Sequence, residues 1–335
     1  MHLVSILAAD ADRTSLETSE APACFHDLNL DQIVAAVTAP FKDYNLAPYF
    51  HTPLHDLDAV AYRQEVMRDL EQPAAIGVIR VFSEQMRVMR QKLESTQKSR
   101  YNYERARWFL AAAQTYCDAV EHLQRDLTDF APASRGLRAF AEFLAQYTGS
   151  EAYRALAAET RQVALDLAAI RYALILHGNG VTVRNYEGEI DYSVAVEATF
   201  EKFRHDGEAK DYRVKFPRTS SLDHVDAQIL DRVALLNPQP FAALETFCTA
   251  HAVYADPAIS RFDREIQFYA AFLSYLEDFR RVGLPLCYPT LSQTSKQLES
   301  RGGFDLALAG KLLAEKANVV RNDFFPSGAE RVLVV

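Results

Sequence analysis

Apolar residues in the first half of this chain recur every three or four positions, over stretches that suit only long helices. Such spacing places them on one face of an α-helix, where they pack along its length against a neighbour. Two of these series are Ile79, Phe82, Met86, Met89 and Leu93, and Ala106, Leu110, Ala113, Cys117 and Val120. The chain also has only 12 glycines in 335 residues, which argues against a loop-rich all-β protein. The sequence therefore predicts a mainly α fold.

Two later series predict a long antiparallel pair of helices. They are Leu156, Thr160, Val163, Leu167, Ile170 and Leu174, and Ile259, Phe262, Ile266, Tyr269, Leu273 and Leu276. Alternating spacings of three and four favour side-by-side packing at a shallow crossing angle. A helix over residues 150–176 would be ~40 Å long. We expect the two segments to be the arms of one lever, with residues 177–240 as a clamp-like insertion between them.

The insertion starts at a predicted β-hairpin. Residues 172–176 and 181–185 are β-prone, and His177-Gly-Asn-Gly180 between them supplies the positive-φ positions of a turn. Residues 192–203 fit either a strand or a helix, and the charged residues 205–220 suggest a loop. A helix is predicted over residues 222–236, capped by Ser220 or Ser221, and the next helix is predicted to begin at Pro238 and Pro240.

Both ends of the chain carry predicted β-structure. We expect a short strand at residues 3–7, a helix at 30–38, and two strands within 317–335 around Pro326-Ser-Gly328. The last strand, Val332-Leu-Val-Val335, is apolar like the buried parallel strands that lead into phosphate-binding loops. No G-x-x-x-x-G-K-S/T motif occurs in the chain. We therefore expect the sequence to stop just before an ATPase core.

These patterns predict three regions. Residues 1–55 form an N-terminal segment, residues 56–283 form the helical core and lever with the insertion, and residues 284–335 form the start of a truncated ATPase domain. The formal net charge of −9 disfavours a basic, DNA-coating protein. The four cysteines are far apart and suit a reducing cytoplasm. No apolar run reaches the ~18–20 residues of a membrane span, so a cytoplasmic location is expected.

The sequence contains only weak candidates for catalytic or metal-binding residues. His51 and His55 are four residues apart, but Pro53 between them disfavours a shared helix face, and no metal site is predicted. Cys248 and His251 are interpreted as structural, because nothing suggests an electropositive setting for a nucleophile. The acidic pairs Asp263 with Glu265 and Glu277 with Asp278 are interpreted as solvated helix faces. We predict no catalytic residue.

Two segments resemble the MutS family of DNA mismatch repair ATPases. Asn322-Asp-Phe324 with Glu330-Arg-Val-Leu-Val-Val335 is similar to the strand that enters the phosphate-binding loop of that family. Pro53-Leu54, Tyr62-Arg-Gln-Glu-Val66 and Asp69-Leu70 resemble the R-Q-E/D … L segment at the start of the MutS core helices. The resemblance covers most of residues 25–335. It is closer to a MutS-related bacterial subgroup than to the mismatch-repair protein itself.

The resemblance implies a core, lever and clamp region that couples ATP state to duplex DNA binding, in DNA repair or recombination control. It implies an ATPase parent that uses ATP and Mg and forms a homodimer through the missing ATPase domain. The fragment itself is then no enzyme and has no cofactor. Phe82-Ser-Glu84 matches the letters of the Phe-x-Glu mismatch-reading motif, but Phe82 belongs to an apolar helix face, whereas a wedge must be exposed.

The family's clamp corresponds to roughly residues 177–220. Its candidate contacts to the DNA backbone are Arg184, His177, Lys202, Arg204 and Lys215. Arg184 is the best single candidate because it lies on the hairpin beside the turn. Acidic residues such as Glu187 and Glu189 are interleaved with these cations, and mixed charge is typical of a solvated surface. An alternative function is therefore a helical scaffold that binds protein partners and no nucleic acid.

Overall fold

A computed structural model describes residues 4–9, 17–178, 180–189, 222–295 and 297–325 of the chain. The fold is mainly α with two small antiparallel sheets, as the sequence predicts. The helices are α1 Cys24–Asp27, α2 Leu30–Thr38, α3 Ala47–His51, α4 Leu57–Leu70, α5 Pro73–Lys98, α6 Asn102–Phe130, α7 Arg135–Gly149, α8 Glu151–Ala168, α9 His224–Leu236, α10 Pro238–Ala250, α11 Pro257–Arg281 and α12 Leu306–Ala314. The strands are β1 Tyr172–His177, β2 Gly180–Asn185, β3 Ser300–Gly303 and β4 Asn322–Phe324. A 3-10 helix at Ala39–Tyr44 links α2 to the loop before α3.

Within the described part of the chain, no helix is both long and apolar enough to cross a bilayer.

The chain divides into two compact units, each assembled from separate segments. The first unit contains Met1–Glu84, Ala119–Ser150 and Ala255–Val335. The second contains Gln85–Asp118 and Glu151–Tyr254. The boundaries expected from the sequence, near residues 55 and 283, stay predictions.

The first unit is built around a cluster of buried aromatic rings. Phe140 of α7 stacks on Phe262 of α11 with ring centroids 3.6 Å apart, and Phe82 lies 5.8 Å from Phe262. Close packing of α4 on α7 depends on Gly136, because a Cβ there would lie 2.8 Å from Val66 Cγ2. Phe82 is thus a core residue, which confirms that Phe82-Ser-Glu84 offers no exposed wedge.

Residues 62–70 lie on α4 and connect it to α7 through polar contacts. Glu65 forms an ion pair with Arg135, with 2.9 Å between Oε1 and Nη2. Asp69 is buried and accepts a hydrogen bond of 2.8 Å from the backbone N–H of Ser134, which itself caps α7. These contacts fix the start of one helix against the side of the other.

The second unit contains an antiparallel helix pair formed by residues 85–98 of α5 and residues 102–118 of α6. The two helices are joined by residues 99–101, and the Lys92 ammonium donates to the Ala111 carbonyl and to Thr115 Oγ1 at 2.6 Å. On the next helix, the Tyr153 hydroxyl donates to the Cys117 carbonyl of α6. Helix α8 also packs against α10, where Glu159 contacts His251 at 2.8 Å.

The predicted helix over residues 150–176 is too long, and its pairing with residues 259–276 stays a prediction. Helix α8 belongs to the second unit and has α10 as its neighbour, whereas α11 belongs to the first unit and packs against α2, α4 and α12. Helix α8 also ends at Ala168, because residues 172–177 form β1. An apolar series shows that a helix face is buried but does not identify its partner. Within the second unit, residues 85–98 of α5 and 102–118 of α6 form an antiparallel pair, and they carry parts of the two earlier series.

Several local predictions are confirmed and others are wrong. Helix α2 has the predicted bounds, and α10 begins at Pro238. Residues 4–7 form no strand, and α9 is capped by the Asp223 side chain, which accepts from the Asp226 N–H, rather than by Ser220 or Ser221. Strand β4 pairs with β3, a strand that the polar sequence around Ser300 did not suggest. The partner strand expected at residues 330–335 lies outside the described residues.

Candidate nucleic-acid interface

The predicted β-hairpin is present and has a regular register. Its cross-strand pairs include Ala173 with Arg184, Leu174 with Val183, and His177 with Gly180. Gly178 in the turn has φ of +54°, a conformation that glycine adopts at little cost. Because side chains alternate between the two faces of a strand, Arg184 and His177 share one face of the hairpin. The register therefore places these two predicted site residues on the same face of the hairpin.

Arg184 is exposed but already paired with an acidic neighbour. Its Nη2 lies 2.6 Å from Glu189 Oε1. Glu189 also accepts a 2.8 Å hydrogen bond from the backbone N–H of Glu187. Hydrogen bonds from the N–H groups of Glu187 and Glu189, and then from Arg184, hold the pKa of the Glu189 carboxyl below its usual range. A phosphate that approaches Arg184 must therefore compete with a local carboxylate.

His177 and Arg171 add cationic capacity to the hairpin. Both side chains are exposed, and Arg171 directly precedes β1. His177 lies four residues along β1 from the residue opposite Arg184, a separation of ~13 Å at the rise of an extended strand. This face thus offers two groups far enough apart to contact different phosphates of one duplex. Lys202, Arg204 and Lys215 lie outside the described residues.

The other face of the hairpin is apolar, a property that the charge pattern concealed. Val183 packs against a small cluster formed by Val233, Ala234 and Phe241. Beyond this anchor, Leu174, Leu176 and Val181 are exposed by 47%, 75% and 41%. The alternation of Leu174 with Leu176 and of Val181 with Val183 is a period-two pattern that indicates such a face. The hairpin consequently has one apolar face and one mixed face, on which Arg184, Thr182 and His177 lie beside half-buried Ala173 and Ile175.

The start of α9 is fixed by a buried carboxylate. Glu104, in the first turn of α6, is buried and accepts a 2.9 Å hydrogen bond from the backbone N–H of Leu222. Tyr103 beside it packs edge-to-face on Phe241, with centroids 4.8 Å apart. These contacts hold α9 and α10, on which β2 packs.

The rejected chemical candidates have structural roles. Burial, and to a smaller extent Glu245, raises the pKa of the Cys248 thiol to about 11, opposite to the change that a nucleophile needs. His51 packs edge-to-face on Phe25. Among the residues that the structure describes, no cluster of His, Cys, Asp and Glu could hold a metal ion.

One of the two acidic pairs was misinterpreted from the sequence. Asp263 and Glu265 are buried in the first unit, whereas Glu277 and Asp278 are exposed as predicted. Residues 259, 262, 266 and 269 define the apolar face of α11, but the packing around this helix also covers neighbouring positions. The spacing alone could not show that both faces of this helix are covered.

Comparison of the chain with family models, with curated proteins and with solved structures finds no match.

Proposed function

We propose that this chain is the core, lever and clamp region of a MutS-related protein, and that the β1–β2 hairpin contacts the backbone of duplex DNA. The observation that carries the proposal is the hairpin face on which Arg184 and His177 lie together, with exposed Arg171 at its base. Backbone contact needs only cations at reachable positions and carries no sequence information. The resemblance of residues 53–70 and 322–335 to MutS supports the same function.

The antiparallel helices α5 and α6 suit the role of a lever. Their antiparallel parts in the second unit, residues 85–98 and 102–118, are ~21 Å and ~26 Å long at 1.5 Å per residue. A stiff pair of this length can carry a small displacement from one end to the other, provided that it has two discrete arrangements. In the parent protein, ATP and Mg would bias these arrangements and so change the grip on DNA. The fragment itself would not hydrolyse ATP, and dimerisation would involve the ATPase domain.

Duplex binding measured against salt concentration tests the DNA contact. The variant Arg184→Glu with Lys202→Glu removes two of the predicted contacts. Each phosphate contact contributes ~0.9 to the slope of log affinity against log salt, so the loss of two lowers that slope by ~1.8. Fluorescence anisotropy of a labelled duplex at several salt concentrations measures the slope directly.

A matched control carries the same change in charge elsewhere. Arg281 and Arg301 are exposed, and each pairs with a neighbouring carboxylate as Arg184 does. Arg281→Glu with Arg301→Glu should leave the salt slope unchanged while lowering affinity slightly through net charge. Equal slopes in both double variants would contradict the proposed interface, and so would an absence of duplex binding at low salt.

The second candidate function is a scaffold that binds protein partners. It is favoured by the exposed apolar face formed by Leu174, Leu176 and Val181, and by the net charge of −9. Contiguous exposed apolar groups are typical of protein contacts. The same anisotropy experiment separates the two functions, because a scaffold of this kind shows no salt-dependent affinity for a duplex.

A further inference from the structure

Residues 5–7 are held in the first unit as a bound peptide would be. Ile6 and Leu7 have no exposed surface, and Ser5 is 4% exposed, yet the segment belongs to no helix or strand. Buried backbone groups are normally paired with other backbone. Here the three carbonyls and the N–H of Ile6 are bound by side chains instead, all of them from α4 and α11.

Each of the three carbonyls has its own donor. The Tyr62 hydroxyl donates to Ser5 O at 2.8 Å, the Tyr269 hydroxyl to Ile6 O at 2.7 Å, and Arg63 Nε to Leu7 O at 2.9 Å. Recognition of a backbone by side chains imposes no sheet register. A segment held in this way can leave or enter without the loss of strand pairing.

The carboxylate of Glu265 accepts hydrogen bonds from two donors of the segment, the Ile6 N–H and the Ser5 hydroxyl. Glu265 Oε2 accepts a 2.8 Å bond from the Ile6 N–H, and the Ser5 hydroxyl donates to Oε1 at 2.9 Å. Glu265 and Tyr269 are four residues apart on α11 and therefore lie on the same face of that helix. The Ser5 hydroxyl also accepts from the Leu7 N–H at 3.0 Å. The site thus recognises a hydroxyl residue by its side chain as well as its backbone.

The site has one further donor to offer. Arg63 Nη2 is buried and has no hydrogen-bond partner within the described residues, while its guanidinium lies 5.5 Å from the Phe268 ring. An unsatisfied buried donor is costly in a purely structural contact. The unpaired Arg63 Nη2 is consistent with a site in which an additional oxygen of a ligand accepts this hydrogen bond.

We propose that Tyr62, Arg63, Glu265 and Tyr269 form a peptide-binding site, here called the N-terminal cradle, whose resident ligand is the chain's own segment Ser5-Ile-Leu7. The ligand class is a bent peptide with a hydroxyl residue followed by two aliphatic residues. The aliphatic side chains fill the buried positions of Ile6 and Leu7, and the hydroxyl shares the Glu265 carboxylate. The proposal is independent of any nucleic-acid function.

The experiment severs the segment after the full-length chain has folded. A specific protease sequence replaces residues 10–16, the purified protein is cleaved, and a fluorophore at residue 2 follows the severed segment. We expect the segment to stay bound through gel filtration and to exchange with an excess of synthetic peptide comprising residues 1–9. Circular dichroism before and after cleavage reports whether the helices persist.

Peptide and protein variants test each recognition element. A peptide with Ser5→Ala should compete about tenfold less well at pH 8, where the Glu265 carboxyl is ionised, since it loses a hydrogen bond to a charged group. A peptide with Ile6→Asp and Leu7→Asp should not compete. In the protein, Tyr269→Phe should speed release about threefold to tenfold, whereas Tyr275→Phe on the same helix should not.

Two results would overturn the proposal. Loss of helical structure on cleavage would show that residues 5–7 are an inseparable part of the core. Exchange that is equally fast with the native and the double aspartate peptides would show that the cradle does not recognise the segment.

Discussion

Glu265 makes the stability of the first unit depend on pH in an unusual direction. Its carboxyl is 1% exposed, and burial raises its pKa to about 7 from an ordinary value of 4.5. Hydrogen bonds from Ile6 and Ser5, and the positive charges of Arg261 and Arg63, oppose this effect only in part. Tyr62 and Tyr269 face the same group and have raised pKa values of their own, mainly through burial, so they stay neutral at physiological pH.

The direction in which the free energy of unfolding changes with pH follows from the number of protons bound by the folded and unfolded chains. Below pH 4.5 the carboxyl is protonated in both folded and unfolded chains. Between pH 4.5 and 7 the unfolded chain loses this proton and the folded chain keeps it, so the free energy of unfolding falls as pH rises. At ~1.4 kcal/mol for each factor of ten, the total loss is about 3 kcal/mol, most of which falls between pH 5 and pH 8.

Glu265→Gln removes this titration and keeps the shape of the side chain. The free energy of unfolding of the variant should therefore rise relative to the native chain by about 2–3 kcal/mol between pH 5 and pH 8. Urea unfolding followed by far-ultraviolet circular dichroism at four pH values measures the difference. Glu277→Gln, an exposed site on the same helix, is the control and should change stability by less than ~0.5 kcal/mol throughout. A difference between native and variant that is constant with pH, or that shrinks as pH rises, would refute the reasoning.

Two further predictions concern packing and thiol reactivity. Gly136→Ala should destabilise the chain by about 1–3 kcal/mol in thermal unfolding, because the new Cβ meets Val66. Gly77→Ala is the control: no atom lies within 4 Å of its new Cβ, so it should stabilise α5 by about 0.5–1 kcal/mol. Equal effects of the two substitutions would contradict the close approach of α4 and α7. Cys248 has a raised pKa and should react with iodoacetamide at pH 8 at least about tenfold more slowly than the exposed residues Cys24 and Cys287. Peptide mass spectrometry measures the three rates. Similar rates would show that the Cys248 thiol is not buried as described.

Local features of the fold could be predicted because their causes are local. The bounds of α2, the hairpin of β1 and β2, and the start of α10 at Pro238 depend on residues adjacent in sequence. A turn requires its own glycine, and a helix start requires its own proline or cap. The candidate cations of the hairpin were likewise evident from the sequence.

Periodicity was sufficient to predict a mainly α chain and its apolar helix faces, because it is a property of each segment alone. What covers those faces became evident only from the packing: α8 packs on α10, residues 5–7 fill a cradle between side chains of α4 and α11, and Glu265 is buried. Burial depends on atoms brought together from distant parts of the chain. Glu265 and Ile6 are 259 residues apart, and no local pattern encodes their contact.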